Sequence, residues 1–433
     1  MTDMRLIDTL SIDGTYKGIP DVSGPFPLGR IGEMGWNVLR GDLPLPVALL
    51  KRTALQNNGD WMRRFVQATG VQLAPHGKTT MSPQLFQQQL RDGAWGITLA
   101  TVFQVQVARR FGVSRILMAN QLVGRAETTY ILHELARDPG FDFYCLVDSE
   151  DGVLQLAEAA RRITPGRPVQ VLLERGITGR RAGCRSQDEA LSVARAVAAA
   201  SPWLALRGVE GFEGIVAGVD RDDVENRAGA FLDSMVETAA RCCAEGLFAA
   251  GPVILSAGGS AYFDLVVERF RAAAIGRETM IVLRSGCYLA QDSVLYERAF
   301  RRIMERSGTA RAVGGSLRNA LELWSYVQSR PEPTRAILGF GKRDVSYDDS
   351  LPKPLAWFRP GVHACPEPFT STPVVVALND QHAFLDLPPE WPLAVGDMAA
   401  VGISHPCTTF DKWQLLPIVD DDYTVVGAVR TFF

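Results

Sequence analysis

A (β/α)8 barrel followed by a smaller β domain is the fold class this sequence predicts, on three observations. Between about residues 70 and 290, short β-rich runs alternate with amphipathic helical stretches, the pattern of a parallel sheet covered by helices. The β-rich runs number about eight, the count a closed barrel requires. After about residue 305, prolines cluster and the apolar period shortens toward two, which marks a separate β unit.

The barrel strands are expected near Val71–Ala74, Trp95–Ala100, Arg115–Ala119, Phe141–Val147, Val169–Glu174, Leu206–Phe212, Val253–Ala257 and Met280–Arg284. Helices are expected between them, among them Pro83–Arg91, Glu127–Arg137, Glu150–Arg162, Gln187–Ala200 and Val224–Glu245. Gly93, Gly112 and Gly246 would end helices in the left-handed conformation that glycine adopts without strain. An open dinucleotide-binding sheet is the main rival, but no G-x-G-x-x-G follows the first strand. In the β unit the clearest strands are Val374–Leu378, Asp397–Val401 and Thr424–Thr431, with turns at Gly396-Asp397 and Asp420-Asp421-Asp422. The expected division is therefore 1–45 as an extension contributing to the β domain, 46–304 as the barrel and 305–433 as the β domain.

Of the 433 residues 47% are hydrophobic and 21% charged, enough apolar material for a large core. The net charge is −3 with both signs interspersed, which argues against a face for nucleic acid or anionic lipid and for small-molecule partners. Met1-Thr2-Asp3-Met4-Arg5 opens no leader-like segment and no apolar run is long enough to span a bilayer, so a cytoplasmic location is expected. Seven cysteines, an odd number without C-x-x-C spacing and with Cys242 beside Cys243, read as reduced thiols and not as a disulfide framework.

Lys78 is the residue with the most chemistry in its position. It lies in Ala74-Pro75-His76-Gly77-Lys78-Thr79-Thr80-Met81-Ser82-Pro83, where a strand ends and a helix begins with proline at its first position. Its ammonium would project from the carboxyl end of a strand, the edge on which α/β barrels carry their chemistry. A loop lysine taken alone is a solvated charge. Strands seven and eight, however, end in Ser256-Ala257-Gly258-Gly259-Ser260 and Arg284-Ser285-Gly286-Cys287-Tyr288, where barrels hold phosphate on backbone N–H groups. A phosphate-bearing aldehyde joined to lysine is pyridoxal phosphate, an electron sink. Arg180-Arg181-Ala182-Gly183, near strand five, supplies a guanidinium that could pair with the cofactor's phenolate or a substrate carboxylate.

His405-Pro406-Cys407 is the other candidate. In an extended segment its outer residues share a face, so imidazole and thiolate could converge on a borderline-soft ion such as zinc and leave positions open for water and substrate. His382, in Asn379-Asp380-Gln381-His382, suits a supporting or structural role as well as ligation.

Taken in order, Pro75-His76-Gly77-Lys78-Thr79, Gly96-Ile97-Thr98-Leu99-Ala100-Thr101, Arg181 with Gly183, Gly258-Gly259-Ser260, Gly286 with Tyr288, and His405-Pro406-Cys407 resemble a known family. It is the pyridoxal-phosphate enzymes of alanine racemase fold, in the group of D-serine dehydratases and D-threonine aldolases. The resemblance implies that Lys78 carries the cofactor covalently, with His76, Arg181, Gly258, Gly259, Ser260, Gly286, Cys287 and Tyr288 around it, and that His405 and Cys407 bind zinc. It also implies a homodimer in which the β domain of one subunit faces the barrel mouth of the other.

His-x-Cys resembles the dehydratase branch and His-x-Asp the aldolase branch. Cys407 therefore favours a D-serine dehydratase, or deaminase, that eliminates water from D-β-hydroxy amino acids to give a 2-oxo acid and ammonia. The alternatives are a metal-dependent D-threonine aldolase and, more remotely, a non-catalytic pyridoxal-phosphate-binding protein. The latter would have no use for the His405–Cys407 pair or the β domain.

Overall fold

A computed structural model describes residues 4–21, 24–370 and 372–433. Met1, Thr2 and Asp3 of the opening segment lie outside the described residues.

All eight expected barrel strands form. They are β1 (Gln72–Leu73), β2 (Ile97–Leu99), β3 (Arg115–Gln121), β4 (Asp142–Val147), β5 (Val169–Arg175), β6 (Leu204–Gly211), β7 (Val253–Ala257) and β8 (Thr279–Leu283). Each pairs in parallel with its sequence neighbour from β2 through β8, and β8 pairs with β1. The ring closes between β1 and β2 through Trp95 N–H to Leu73 O at 2.7 Å and Thr98 N–H to Pro75 O at 3.0 Å. A parallel bridge between His76 and Thr98 extends this seam into the loop that carries Lys78. Ala74, Leu117, Tyr144, Leu146, Leu172, Ile254 and Val282 fill the interior below the mouth, so the barrel is a packed core and not a channel.

Helices cover the ring outside. Arg52–Thr69 shows why: Leu55, Asn58, Trp61, Met62, Phe65 and Thr69 fall at spacings of three and four and are all buried. Trp61 stacks on Phe65 with ring centroids 5.5 Å apart and meets Phe300 edge-on at 4.9 Å, contacts worth about 0.5–1.5 kcal/mol each beyond area burial. The helix ends at Gly70, φ +68°, whose N–H caps Val66 O. Gly93, Gly112 and Gly246 also have positive φ, as expected of helix ends.

The β domain is an antiparallel sheet built on the long strand Leu321–Glu332, which pairs with Arg335–Leu338 and Met398–Gly402. The expected strands are present as Val374–Leu378, Met398–Gly402 and Val425–Arg430. One boundary differs from expectation. Val47–Lys51, inside the range assigned to the barrel, pairs antiparallel with Leu321–Trp324 and in parallel with Ile418–Val419. Its apolar run is buried and hydrogen-bonded along both edges within the second sheet, so the barrel unit begins with the helix Arg52–Thr69. The N-terminal extension packs on this domain too, through the 3-10 turn Leu28–Glu33 against Val425–Arg430 and a bridge from Asn37 to Thr424. No helix among the described residues is long and apolar enough to cross a membrane.

Candidate active site

The carboxyl ends of the strands and the β domain enclose a cavity of about 680 Å³ lined by His76, Lys78, Arg181, Gly259, Ser260, Arg284, Gly286, Cys287, His405 and Cys407, among others. Nine of the eleven residues singled out from the sequence thus meet in one space. A second groove of about 720 Å³ lies against Phe111, Tyr130 and Phe432; it contains no lysine and none of the strand-end loops.

Lys78 sits in the single 3-10 turn Gly77–Thr79 that follows β1. Gly77 is needed there because a Cβ would lie 2.7 Å from the Phe86 ring and 2.9 Å from Ile97. Burial lowers the Lys78 pKa; the Cys407 and Cys287 thiols oppose that, while Arg181 and Arg284 add to it. His76 is held well below the usual imidazole range, by burial first and then by Lys78 and Arg284, so it is neutral. Its ring is partly open to the cavity, yet Nδ1 is buried without a protein partner.

Two glycine loops face the lysine. Gly258 (φ +93°) and Gly259 donate N–H groups to Glu213 at 3.1 and 2.7 Å, and Ser285 Oγ donates to Gly258 O at 2.8 Å. Gly286 meets His76 so closely that a Cβ would stand 2.5 Å from its carbonyl oxygen, which explains the glycine. The backbone N–H groups of Ser260, Gly286 and Cys287 have no protein partner among the described residues. Those three donors, beside a hydroxyl on Ser260, suit a phosphate.

The floor carries a pair that reading for motifs missed. Arg284 forms an ion pair with Glu210 and donates to Gly211 O at 2.7 Å; both side chains are almost wholly buried. Burial pushes the Glu210 carboxyl up to about 8 even with Arg284 against it. Glu210 Oε2 and Arg284 Nε keep free hydrogen-bonding capacity. Arg284 stood in the strand-eight run, but nothing local to the sequence joined it to Glu210, 74 positions away.

At the rim Arg181 lies over the Phe212 ring at 5.2 Å, on a loop that Arg185 braces from Ala182 O and Gly183 O. Across the mouth, His405 Nδ1 is 2.6 Å from Asp348 Oδ2, and Thr408 holds the other Asp348 oxygen at 2.7 Å. Burial alone would raise Asp348; the hydrogen bonds from Thr408 and His405 outweigh it and lower the pKa. Such a carboxylate orients an imidazole for metal binding through Nε2. Cys407 Sγ lies 3.3 Å from Thr79 Oγ1 and 3.8 Å from Cys287 Sγ. The two thiols share a hydrogen bond: Cys407 lowers Cys287, which in turn raises Cys407.

Two expected residues lie elsewhere. Gly258 does not line the cavity, and Tyr288 is buried away from it with Gln89 and Asp92. His382 is exposed in the hairpin between Val374–Leu378 and Ala383–Asp386. His405 and Cys407 stand over the barrel of their own chain.

The residues fit both implied groups. A half-buried lysine, free N–H donors on two loops and unpartnered polar atoms on the floor suit pyridoxal phosphate. Imidazole and thiol donors suit a thiophilic divalent ion. No three His, Cys, Asp or Glu side chains among the described residues form a ready-made metal cluster.

A (β/α)8 barrel with a lysine at the end of its first strand and a β domain over its mouth is the fold of alanine racemase, and alanine racemase from Bacillus anthracis superposes with a TM-score of 0.55 at 14% identity, covering 89% of this chain and 98% of that one. Residues 320–419 match the family described as Putative serine dehydratase domain. The chain is 26% identical over 318 residues to 3-hydroxy-D-aspartate aldolase of Paracoccus denitrificans, covering 72% of this chain and 75% of that protein. It is 30% identical over 152 residues to D-threo-3-hydroxyaspartate dehydratase of a Delftia species, 35% of this chain and 39% of that protein. D-threonine aldolase from Filomicrobium marinum has a TM-score of 0.75 at 20% identity over 92% of this chain and 97% of that one. Solved structures of D-threo-3-hydroxyaspartate dehydratase, one a histidine-to-alanine variant and one a metal-free cysteine-to-alanine variant, have TM-scores of 0.70 and 0.68 at 20% identity, over 92% of this chain and 97% and 99% of those. Their two replaced positions are two apart.

The fold is that of alanine racemase, and the similar proteins carry the names of aldolases and dehydratases of D-hydroxy amino acids.

Proposed function

We propose that the protein is a pyridoxal-phosphate- and zinc-dependent D-serine dehydratase, a lyase that removes water from D-β-hydroxy amino acids to give a 2-oxo acid and ammonia. The observation that carries this reading is the presence of Lys78, His405 and Cys407 around one cavity. When bound, the cofactor would supply an electron sink for the substrate's α-carbanion and the metal a Lewis acid for its β-hydroxyl.

The chain's own part is binding and proton movement. Lys78 Nζ would hold the cofactor and, as a free amine, would take the proton from the substrate Cα, a task for which its lowered pKa suits it. Ser260, Gly286 and Cys287 N–H groups bind the phosphate. Arg181 at the rim binds the substrate carboxylate or the cofactor phenolate. His405, oriented by Asp348, and Cys407 would hold the metal, which would polarise the leaving hydroxyl. Loss of that hydroxyl, tautomerisation and hydrolysis convert D-serine to pyruvate and ammonia.

Cys407 favours dehydratase over aldolase, and the dehydratase structures in which a histidine and a cysteine two apart were replaced, the latter metal-free, support a metal-linked role for that pattern. D-threonine aldolase is the second reading, favoured by the aldolase names among the relatives. With D-threonine, the proposed activity gives 2-oxobutyrate and ammonia; glycine and acetaldehyde as the main products would establish the aldolase. Assembly as a cytoplasmic homodimer belongs to the same reading. A strictly monomeric, fully active protein in sedimentation would refute it.

A further inference from the structure

We propose that Cys287 is a metal ligand alongside Cys407, so that the ion is held by two sulfurs, one from each domain. This rests on the metal-dependent reading above and extends it to a residue that the pattern His405-Pro406-Cys407 leaves out.

The carrying observation is the 3.8 Å between Cys287 Sγ and Cys407 Sγ. Two thiolates bound to one tetrahedral zinc at about 2.3 Å stand about 3.8 Å apart, the edge of the coordination tetrahedron. A disulfide needs about 2.0 Å. A thiol pair could keep this spacing as a weak hydrogen bond alone, but two further features point to a cation. Both sulfurs line the cavity, and so does His405, whose Nδ1 is taken by Asp348. Thr79 Oγ1 touches both, at 3.6 Å to Cys287 and 3.3 Å to Cys407, and so fixes their positions. Binding would displace the proton the two sulfurs share, and a divalent ion between the resulting thiolates would offset their repulsion.

The two cysteines are 120 positions apart and belong to different units. Cys287 follows β8, where Gly286 is pressed against His76; Cys407 opens the short helix Cys407–Phe410 of the β domain. An ion on both sulfurs clamps the β domain onto the barrel mouth above Lys78. Metal binding would then stabilise the whole chain as well as serve turnover.

Cobalt(II) titrated into the metal-stripped full-length protein tests this, because thiolate-to-cobalt absorption in the near ultraviolet grows with the number of bound sulfurs. The wild type should show a two-thiolate band, and Cys287→Ser and Cys407→Ser should each lose about half of it. Cys287→Ser should weaken zinc binding by more than the roughly 10–100-fold that loss of a supporting partner costs, and the rise in melting temperature that zinc gives the wild type should shrink. X-ray absorption on the zinc-loaded wild type counts sulfur neighbours without any variant, should Cys287→Ser fold poorly; two sulfurs are expected. One sulfur, no bound metal, or an unchanged cobalt band in Cys287→Ser overturns the assignment. Product analysis is separate: aldolase products with two-sulfur coordination would refute the dehydratase reading and leave Cys287 a ligand.

Discussion

Glu213 accepts one hydrogen bond on each carboxylate oxygen from two successive residues of the strand-seven loop, Gly258 N–H at 3.1 Å and Gly259 N–H at 2.7 Å. The loop expected to hold phosphate with its own glycines is therefore shaped by a carboxylate from the loop after β6. A side chain at Gly259 would meet the Phe212 ring at 2.6 Å, so the glycine serves this approach. The free donors sit one step on, at Ser260, and across the seam at Gly286 and Cys287.

Glu213→Ala leaves two N–H groups without acceptors, at about 1–3 kcal/mol each. Thermal melting should show the loss, and the dissociation constant for pyridoxal phosphate, read by absorbance titration, should rise. Glu213→Gln can still accept one of the two bonds and should fall between the wild type and Glu213→Ala.

Borohydride treatment of the cofactor-loaded protein should fix the cofactor on Lys78 in peptide maps, and Lys78→Ala should lower turnover by at least about 100-fold. Because burial lowers the Lys78 pKa, the amine is neutral at lower pH than in a free lysine. The rate of cofactor attachment to the apoprotein should thus rise with pH and reach half its maximum below the ordinary value of 10.5. A midpoint above that value would contradict the burial of Lys78.

Asp348→Ala removes the carboxylate that orients His405 and should weaken metal binding about 10–100-fold, measured by competition with a chromogenic chelator. Unchanged affinity would exclude His405 as a ligand held through Nδ1.

Arg284→Met removes the partner of Glu210, leaves a neutral buried carboxyl short of hydrogen bonds and should cost about 1–3 kcal/mol in denaturant unfolding. Replacing both residues by methionine should cost less than the sum of the single changes, since no unsatisfied partner then remains. With Glu210 pushed up to about 8, the folded chain binds a proton there that the unfolded chain has released. This group's contribution to stability therefore falls as pH rises between about 4.3 and 8, and Glu210→Gln should flatten that slope.

Arg181→Met should raise KM for D-serine by about 10–100-fold, matching about 1.5–3 kcal/mol for a lost charge-assisted hydrogen bond. A binding role predicts a smaller change in kcat.

Local pattern determined most of the framework. Each barrel strand is a short apolar run bounded by glycine, proline or a helix, so its place could be read without knowing its neighbours; the helix Pro83–Arg91 carries its own start signal in Ser82-Pro83. Lys78 and the glycine loops were legible for the same reason, since barrel chemistry sits at strand ends. Only the tertiary structure decided which groups meet. Val47–Lys51 reads as a buried strand of either unit, and hydrogen-bond register alone sends it to the β domain. Asp348 lies 57 positions from His405, Glu210 lies 74 from Arg284 and Cys407 lies 120 from Cys287. Tyr288 stood in a promising motif, but its ring packs away from the cavity with Gln89 and Asp92. Periodicity reports what one segment buries; contacts between distant segments depend on how the sheets close, and no local signal encodes that.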